Sequence, residues 1–575
     1  MPALALILGH RENLRANNLI DTEVEPPAAP KPSGDIVGAR TVDGSYNDMG
    51  KPWMGMAGAR FGRNSALKAS FGETLPELME PSPRVVSNKL LARGDNFVPV
   101  PHLNVVAAAW IQFMVHDWLS HGKNQKTDPH EVPLPEGDDW PENPMTVMPT
   151  TPAEKAANEE GRPTAYKNVE THWWDASQIY GSTAERLAEV RAGGHDGKLP
   201  LDERGLLPLD TGSGDVALEL AGVNGNWWIG LSVLHTLFVR EHNAVVDRLK
   251  IDHPNQDGAW LFDKARLVVS ALLAKIHTVE WTPALMDSPE GRMAMRGNYW
   301  GLMGERSYNA FGRISDSEVI NGIPGSPQDH HGAPYAMTEE FTAVYRLHSL
   351  MPDRYNFRSA DDDSPILETD LAGVSHGQPQ HLYRQMSFED ALYSLSTENP
   401  GALTLHNYPE GLRRLTKENG RMVDLASIDI LRDRERGVPR FAEFRRQTGM
   451  RVPETFADIT SNKEWQKELK EVYGKVSKVD LLVGCLAESQ SEWGQPPRFG
   501  FSDTAFRIFI LMASRRLKSD RFFTDDFRPE IYTEAGFQWV QENTYRSVVA
   551  RHCPALAVAM ADARNPFFPW TRAEP

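Results

Sequence analysis

Residues 105–119 read VVAAAWIQFMVHDWL, an apolar run with three polar side chains in its second half. Its apolar residues recur three and four positions apart, which predicts a buried α-helix. Gln112 and His116 are four apart, so they share one face of that helix, where they need a common polar partner. The Asp117 side chain points about 100° around the helix axis from that of His116. Burial of its carboxylate requires a nearby cation. A lone buried histidine is also often an ordinary core residue, so this stretch alone leaves its role open.

Helical patterns dominate the rest of the chain, and strand-like alternation is scarce. The clearest runs are LSVLHTLFVREHNAVVDRL (231–249), ARLVVSALLAKIHTVEW (265–281), EFTAVYRLHSL (340–350), WQKELKEVYGKVSKVDLLVGCL (465–486) and TAFRIFILMASRRLKSDRF (504–522). Residues 125–163 are polar and proline-rich and predict a long surface excursion, and only 315–334 could serve as a linker. We therefore predict a mainly α protein, with a loop-rich arm over 1–95 packed on a single large helical catalytic domain over 96–575.

The composition excludes several classes of protein. The chain of 575 residues is 40% hydrophobic, and its 61 Lys and Arg against 78 Asp and Glu give a net charge of −17. That composition is globular rather than disordered or fibrous. An acidic chain without a basic stripe is not expected to bind nucleic acid. Cys485 and Cys553 are too few for a disulfide framework or a cysteine-based metal site, so a reducing, cytoplasmic environment is expected.

The apolar start MPALALILGH has no basic region before it and no small-residue cleavage site after it, so we expect no signal peptide. No run of about 18 apolar residues predicts a membrane-spanning helix. Peripheral membrane contact stays open, and in so acidic a chain it would have to rest on apolar area.

A second motif, THWWDASQIYGS (171–182), carries oxygen donors at alternate positions. Such a loop can fold around a hard cation, with side-chain oxygens from Thr171, Asp175 and Ser177 and the backbone carbonyl of Trp173. Read alone, the pattern is also that of a capped turn. Together with Asp117 it predicts a Ca²⁺ site.

A third motif, EFTAVYRLHSLMPD (340–353), puts Tyr345 and His348 three positions apart on a predicted helix. Their Cα atoms would be about 4.5 Å apart along the axis, so an imidazole that binds a metal would hold the phenol beside it. This arrangement suits a radical tyrosine next to a haem. The alternative is an amphipathic helix with a buried tyrosine and a capping histidine.

Two further motifs carry groups suited to an anion. In AKIHTVEWTPAL (274–285), His277 and Thr282 could donate hydrogen bonds to one, or His277 could merely cap the helix end. In SRRLKSDRFF (514–523), the arginines could form a solvated helix end. An arginine at the mouth of an apolar channel, however, is suited to hold a carboxylate with two parallel hydrogen bonds.

Taken together and in this order, these five motifs resemble the animal-type haem peroxidase superfamily, and within it the fatty-acid alpha-dioxygenases. The resemblance extends from about Asn18 to Phe567. It implies haem b and Ca²⁺ as cofactors and a role for each motif residue. The implied roles are distal histidine His116 with its neighbour Gln112; radical tyrosine Tyr345; proximal haem ligand His348; carboxylate-binding His277, Thr282 and Arg516; and calcium ligands Asp117, Thr171, Trp173, Asp175 and Ser177.

The resemblance also implies an activity. A trace of peroxide would activate the haem enzyme, and Tyr345 would become a radical. That radical would take a hydrogen atom from the carbon alpha to the carboxylate of a long-chain fatty acid. O2 would trap the carbon radical, and hydrogen return from Tyr345 would give a 2-hydroperoxy acid, which readily loses CO2 to form the aldehyde one carbon shorter.

The sequence departs from the superfamily at one position. Peroxidases of this type carry a catalytic arginine upstream of a segment like HTLFVREHN, and counting back from His235 that position holds Asn224. Without that cation the cleavage of peroxide is poorly assisted, so general peroxidase activity is not expected. No acidic anchor for a covalent haem link is evident, and Asn407 is a candidate partner for the proximal imidazole.

Two other functions remain as alternatives. One is a haem peroxidase, or an oxylipin-forming dioxygenase of the same superfamily that attacks a carbon farther along the chain, which would not need the carboxylate beside the tyrosine. The other is a non-catalytic haem-binding or adhesive protein. The presence of Tyr345, His116 and His348 together disfavours the latter.

Overall fold

The three-dimensional structure is a computed structural model that describes residues 2–573, apart from 211, 213–216, 418–419, 489–499 and 501. About 45% of the chain is helical and 6% lies in strands, which confirms the predicted mainly α architecture. The strands pair only locally, as the antiparallel hairpins β1–β2, β3–β4 and β5–β6 within the described residues.

The elements follow in chain order. Up to residue 200 they are α1 (Pro2–Asn17), α2 (Pro83–Val86), α3 (Val105–Trp118), β1 (His130–Val132), β2 (Met145–Val147), α4 (Ser177–Tyr180) and α5 (Ala184–Arg191). The middle of the chain forms α6 (Ile229–Asp252), α7 (Gly258–Ile276), α8 (Thr282–Leu285), α9 (Pro289–Trp300), α10 (Gly304–Phe311), α11 (Glu318–Asn321), α12 (Glu339–Val344), β3 (Arg354–Arg358), β4 (Pro365–Asp370), α13 (Leu371–Val374), α14 (Gln378–Leu382), α15 (Phe388–Thr397) and α16 (Glu410–Arg413). The last part forms β5 (Leu415–Thr416), β6 (Met422–Val423), α17 (Leu425–Glu435), α18 (Phe441–Gln447), α19 (Lys463–Tyr473), α20 (Leu481–Ala487), α21 (Asp503–Ser519), α22 (Pro529–Tyr532), α23 (Glu534–Glu542), α24 (Tyr545–His552) and α25 (Ala557–Ala561).

Helix α3 forms where the sequence predicts it and lies in the core. Asn104 caps its start by accepting a hydrogen bond from the Ala107 amide at 3.1 Å. Every residue of α3 is buried except Gln112, Val115 and His116, which are half-buried. These three lie on one face, so the helix presents a single less enclosed, partly polar stripe to its surroundings.

The long helices α6 and α7 pack on each other, and α6 also packs on α3. Their buried apolar residues belong to one core that extends from Leu14 to Trp570. A smaller cluster lies under the β1–β2 hairpin, where Trp140 and Val132 pack with Leu431. The polar excursion over 125–163 therefore carries a hairpin with its own small core.

Two predicted segments differ in detail from the sequence pattern. The run over 465–486 is divided into α19 and α20, because Gly474 ends α19 at φ +67°, a conformation that favours glycine. The candidate linker over 315–334 packs on the domain, since Ile323 is fully buried and its amide donates to Asn298 O at 2.8 Å.

The arm over 1–95 begins with helix α1. The loop-rich pattern of that segment did not predict a helix there. Arg11 and Arg15 on α1 form ion pairs with Glu318 at 2.5 and 2.7 Å. These buried charges fix α1 across α11. None of the helices in the described residues is long and apolar enough to cross a membrane.

Candidate active site

The half-buried face of α3 carries the residues implied for the distal side. Gln112 is held at both ends of its amide, since its Oε1 accepts from Trp228 Nε1 at 2.8 Å and its Nε2 donates to Asn226 O at 3.1 Å. His116 does not share these partners, and its Nδ1 is buried without a hydrogen bond. Among the described protein groups the two side chains share no partner, so a common partner stays a prediction. Burial lowers the pKa of His116 to about 4, so the imidazole is neutral at physiological pH.

The Asn224 side chain faces away from this stripe. Its Nδ2 donates to Asp210 Oδ2 at 2.8 Å and to Glu219 O at 3.3 Å. The same loop reaches Gln112 two and four residues later, through the carbonyl of Asn226 and the indole of Trp228. Position 224 thus supplies neither a cation nor a side chain to Gln112.

His348, the implied proximal ligand, is anchored by a carboxylate that sequence reasoning missed. His348 Nδ1 donates to Asp429 Oδ2 at 2.7 Å. Asp429 also accepts from Arg346 Nη1 at 2.8 Å and from the Tyr408 hydroxyl at 2.9 Å. Burial alone would raise the pKa of Asp429, but His348 and Arg346 outweigh it and hold the pKa below its ordinary value. Because Nδ1 is engaged, Nε2 is the nitrogen left for a metal.

Asn407, the sequence-based candidate for this partner, has a different role. Its side-chain oxygen accepts from Arg93 Nε at 3.0 Å, and its Nδ2 donates to Val98 O and Ala402 O at 2.9 and 2.8 Å. Asn407 therefore fixes a loop, and its assignment to the proximal imidazole is wrong. Asp429 lies 81 positions from His348 inside the charged run DILRDRERG, which is typical of a solvated helix, so no local signal identified it.

Tyr345 and His348 do not lie on one continuous helix, as the spacing predicted. Helix α12 ends at Val344, Tyr345 is its first residue beyond the end, and His348 begins a short 3-10 turn. The Tyr345 ring stacks on Phe341, with 4.2 Å between ring centroids, and meets Trp118 edge-on at 5.9 Å. The tyrosine is thus fixed against α3, the helix that carries His116.

Tyr345 faces a cavity that brings the three implied carboxylate-binding residues together. His277, Thr282, Arg516 and Tyr345 all line it, beside apolar side chains that include Trp118, Trp174, Met295 and Phe509. The free volume is about 10 Å³, room for no more than one water molecule. The side chains of His277, Thr282, Tyr345 and Arg516, which come from four separate segments of the chain, thus converge on one small pocket.

Arg516 is held in this pocket by two indoles. Its guanidinium carbon lies 3.9 Å from the ring centroid of Trp118 and 4.1 Å from that of Trp174. Its Nε donates to the Tyr335 hydroxyl at 3.3 Å, and its Nη2 is buried without a partner. Leaving a cationic donor unpaired is costly, so the arrangement is suited to an anion.

The other two arginines of the SRRLKSDRFF motif, Arg515 and Arg521, bind backbone carbonyl groups and do not line the pocket. Arg515 Nη2 donates to Ala333 O and Pro334 O, each at 2.8 Å. Arg521 Nη1 donates to Val37 O at 2.9 Å and so ties the arm to the end of α21.

A π-helical turn explains how His277 and Thr282 come together. In a regular α-helix residues five apart point 140° away from each other, but His277–Trp281 forms a π turn, in which bonds run from i to i+5. Thr282 Oγ1 donates to His277 O at 2.8 Å. The helix therefore continues through His277 into α8 rather than ending there, so the histidine is not a terminal cap.

The protonation of His277 follows from its neighbour. Trp110 Nε1 can only donate, and it lies 3.3 Å from His277 Nδ1, so Nδ1 is the acceptor. Burial, and then Arg516, hold the pKa of His277 well below its ordinary value. The neutral ring therefore carries its proton on Nε2 and can donate it to a bound anion.

The THWWDASQIYGS loop forms a buried set of oxygen atoms beside Asp117. Asp117 Oδ1 accepts from the Ser177 amide at 2.5 Å. Thr171 Oγ1, Asp175 Oδ2 and Ser177 Oγ are buried without hydrogen-bond partners, whereas Asp175 Oδ1 pairs with Arg40 at 2.9 Å. Trp173 donates its indole N–H to Met54 O at 3.1 Å, which leaves only its backbone for a ligand role.

The negative charges of Asp117 and Asp175 are only partly balanced by neighbouring protein groups. Burial raises the pKa of Asp117 to about 7, against the opposing effect of the Ser177 amide, and burial likewise raises the pKa of Asp175 despite Arg40. These two carboxylates, with hydroxyl oxygens around them, are the donors a hard cation prefers. Across the described residues, no group of three or more His, Cys, Asp or Glu side chains is arranged to hold a metal ion.

The chain matches known proteins over nearly its whole length. The family model for animal haem peroxidases matches residues 39–564. An alpha-dioxygenase from Oryza sativa subsp. japonica is 39% identical, with 92% of this chain and 86% of that protein covered. Alpha-dioxygenase 1 from Arabidopsis thaliana is 37% identical, with coverage of 92% and 83%.

Solved structures agree with these matches. A fatty acid alpha-dioxygenase from Oryza sativa, solved with palmitic acid, aligns with a TM-score of 0.90 and 35% identity over 99% of this chain and 93% of that one. Peroxidase A from Dictyostelium discoideum, 20% identical with a TM-score of 0.73 over 92% of this chain and 99% of that one, shares the fold. This chain therefore belongs to the animal haem peroxidase family, and within it to the alpha-dioxygenases.

Proposed function

We propose that this protein is a haem-dependent fatty-acid alpha-dioxygenase that converts a long-chain fatty acid and O2 into the 2-hydroperoxy acid. The observation that carries the proposal is the shared cavity of Tyr345, His277, Thr282 and Arg516. A hydrogen-abstracting phenol and a set of carboxylate-binding groups in one small pocket restrict reaction to the carbon next to the carboxylate.

Carboxylate binding is the first task of these residues. The unpaired Nη2 of Arg516 provides a charged donor, and the two indoles on either side restrict the guanidinium plane. His277 Nε2–H donates to the same anion as a neutral group. The Thr282 hydroxyl, which donates to His277 O, would turn toward the carboxylate when substrate binds.

Hydrogen transfer is the task of Tyr345. As a radical, its phenolic oxygen removes one hydrogen atom from the alpha carbon, O2 adds to the carbon radical, and the tyrosine O–H returns a hydrogen atom to the peroxyl group. The substrate gains both atoms of O2, and Tyr345 is again a radical at the end of each cycle. The packed aromatic surroundings exclude water, which protects both radicals.

When bound, haem would supply, with a trace of peroxide as the oxidant, the one-electron oxidation that converts Tyr345 into its radical. His348 would hold the iron through Nε2, with His116 and Gln112 on the distal side. The fit rests on this chain's own residues: the half-buried stripe on the otherwise buried α3, the unpartnered Nδ1 of His116, and the fixed Nδ1 of His348.

Removing the Asp429 carboxylate should weaken haem binding. Asp429→Ala leaves His348 Nδ1 without its acceptor, and loss of such a supporting group costs about 10- to 100-fold in metal affinity. Haem titration of the apoprotein, followed by the Soret band, measures the change. Asp433→Asn is the matched control on the same helix, because Asp433 pairs with Arg346 but not with the imidazole. Equal haem affinity in the Asp429 and Asp433 variants would contradict the assignment.

We also propose a Ca²⁺ ion on Asp117, Thr171, Asp175, Ser177 and the carbonyl of Trp173. Ca²⁺ at about 100 times its dissociation constant should stabilise the chelator-treated protein by about 2.7 kcal/mol, seen as a rise in melting temperature. Mg²⁺ should give a much smaller rise, because it dehydrates reluctantly. Ser177→Ala should reduce the response, whereas Thr183→Ala, directly after the motif but capping α5 through the Arg186 amide, should not. No response to Ca²⁺ in the unaltered protein would count against the site.

Oxygen uptake tests the function directly. The haem-loaded protein should consume O2 with palmitic acid but not with its methyl ester, and mass spectrometry should detect 2-hydroperoxypalmitic acid and pentadecanal. Oxidation of guaiacol by hydrogen peroxide without fatty-acid-dependent uptake would instead favour the peroxidase alternative. A Soret band with neither activity would favour a non-catalytic haem protein.

The two free cysteines are consistent with a reducing, cytoplasmic environment. We propose that location, with peripheral contact to membranes and no nucleic-acid partner.

A further inference from the structure

One short segment of the chain concentrates exposed apolar side chains. Among the described residues, 16 large apolar side chains are exposed, and six of them lie between 293 and 320. Phe311 is 75% exposed and Ile314 66% exposed, and no residue of α10 is buried. We call these six the apolar patch; its members are Met293, Leu302, Phe311, Ile314, Val319 and Ile320. Such a concentration marks an interaction surface rather than scattered surface residues.

Backbone hydrogen bonds hold the parts of the patch together. The Leu302 amide donates to Val319 O at 2.9 Å, and the next residue, Met303, donates to Ile320 O at 3.1 Å. The Ile314 amide donates to Asn321 Oδ1 at 3.2 Å. The segment after α9 is therefore tied to α11, which places Leu302 beside Val319 and Ile320.

The patch borders a second narrow cavity. Leu302 and Val319 line it, together with Ile7 and Leu8 of α1 and Phe506 and Ile510 of α21. This cavity and the carboxylate cavity share the wall residues Met295 and Asn298. Met295 and Asn298 thus form the wall between the outer cavity beside the patch and the inner cavity of Arg516.

One face of α21 lines both cavities. Phe506 and Ile510 line the outer cavity, whereas Phe509, Ala513 and Arg516 line the inner one. The spacing is that of a single helical face, and ten residues of helix span about 15 Å. The α21 side chains in both cavities are apolar up to the guanidinium, which suits an acyl chain with a carboxylate end, and the Arg11–Glu318 ion pair lines the outer cavity on its other side.

We propose that the apolar patch docks the enzyme on an uncharged, zwitterionic lipid surface, from which the fatty acid enters along α21. The inference rests on the proposed function, because it assumes an acyl substrate. Residues 291–321 contain four arginines and three acidic residues, so this face is close to neutral on a chain of net charge −17. A second copy of the chain on the patch would cover Leu302 and Val319 and so close the outer cavity, which favours lipid as the occupant.

Vesicle flotation tests the docking. The full-length, haem-loaded enzyme should float with phosphatidylcholine vesicles, and high salt should not release it, because apolar burial rather than charge holds it. Phe311→Ser with Ile314→Ser should lower the bound fraction at least about tenfold. Ile251→Ser with Leu75→Ser is the matched control, since those side chains are 74% and 71% exposed outside the segment. Absence of flotation, or equal loss in both double variants, would overturn the proposal, as would a dimer that only the patch variant dissociates.

Oxygen uptake separates failure of docking from failure of the function. With palmitic acid embedded in the vesicles, the patch variant should be slower than the control variant by at least about fivefold. With decanoic acid dissolved below its micellar concentration, the two should be equal. No uptake by any variant with either acid would refute the dioxygenase function, whereas equal rates on both substrates would refute the docking alone.

Discussion

Tyr345→Phe should abolish fatty-acid-dependent oxygen uptake while leaving haem binding intact. The phenylalanine ring keeps the stacking on Phe341 and the edge contact with Trp118, so the cavity should retain its shape. Only the hydroxyl that carries the hydrogen atom is lost. We expect kcat to fall by at least about 10³-fold, which corresponds to about 4 kcal/mol in the activation barrier.

Two measurements make this result decisive. The Soret spectrum and the palmitic acid dissociation constant should match those of the unaltered enzyme, which excludes a folding defect. Tyr383→Phe is the control, because Tyr383 is also a buried tyrosine and its hydroxyl lies 3.1 Å from Ser232 Oγ, outside the cavity. If the Tyr345 variant kept more than a tenth of the uptake, the radical role assigned to this residue would be wrong.

The sequence predicts the parts of the site that a single helix face determines. The spacing of Gln112 and His116 correctly places both on one face of α3, and the apolar run over 504–522 correctly predicts the helix that carries Arg516. These inferences succeed because a regular helix fixes the direction of each side chain.

The rest of the site depends on departures from regular helices and on distant partners. The π turn at His277 aligns residues that an α-helix would separate, and α12 ends before Tyr345 rather than after His348. Asp429 reaches His348 only through the packing of α17, and its neighbours in sequence are charged. The spacing of residues in the sequence does not predict these features, because each depends on tertiary contacts.

The packing of two indoles around Arg516 is another feature that the sequence pattern does not predict. Trp118 and Trp174 appear in the sequence as core residues of two motifs assigned to haem and Ca²⁺. In the folded chain they enclose the guanidinium and also pack on His277, at 5.0 and 5.7 Å between ring centroids. Helix α3, the proposed calcium loop and the proposed carboxylate pocket are therefore joined by one set of aromatic contacts, so a change in any of them should alter the position of the substrate head group.

Arg516→Gln should reduce kcat/KM for palmitic acid by about 10²- to 10³-fold, because it removes one or two charge-assisted hydrogen bonds worth about 1.5–3 kcal/mol each. Arg516→Lys keeps the charge but loses the planar contact with both indoles and the paired donors, so its loss should be intermediate. Arg507→Gln, on the same helix but outside the residues that line either cavity, is the control. The discriminating readout is the preference for the free acid over the methyl ester, which should largely disappear in the Gln variant. An unchanged preference would mean that Arg516 stabilises the pocket without holding the carboxylate.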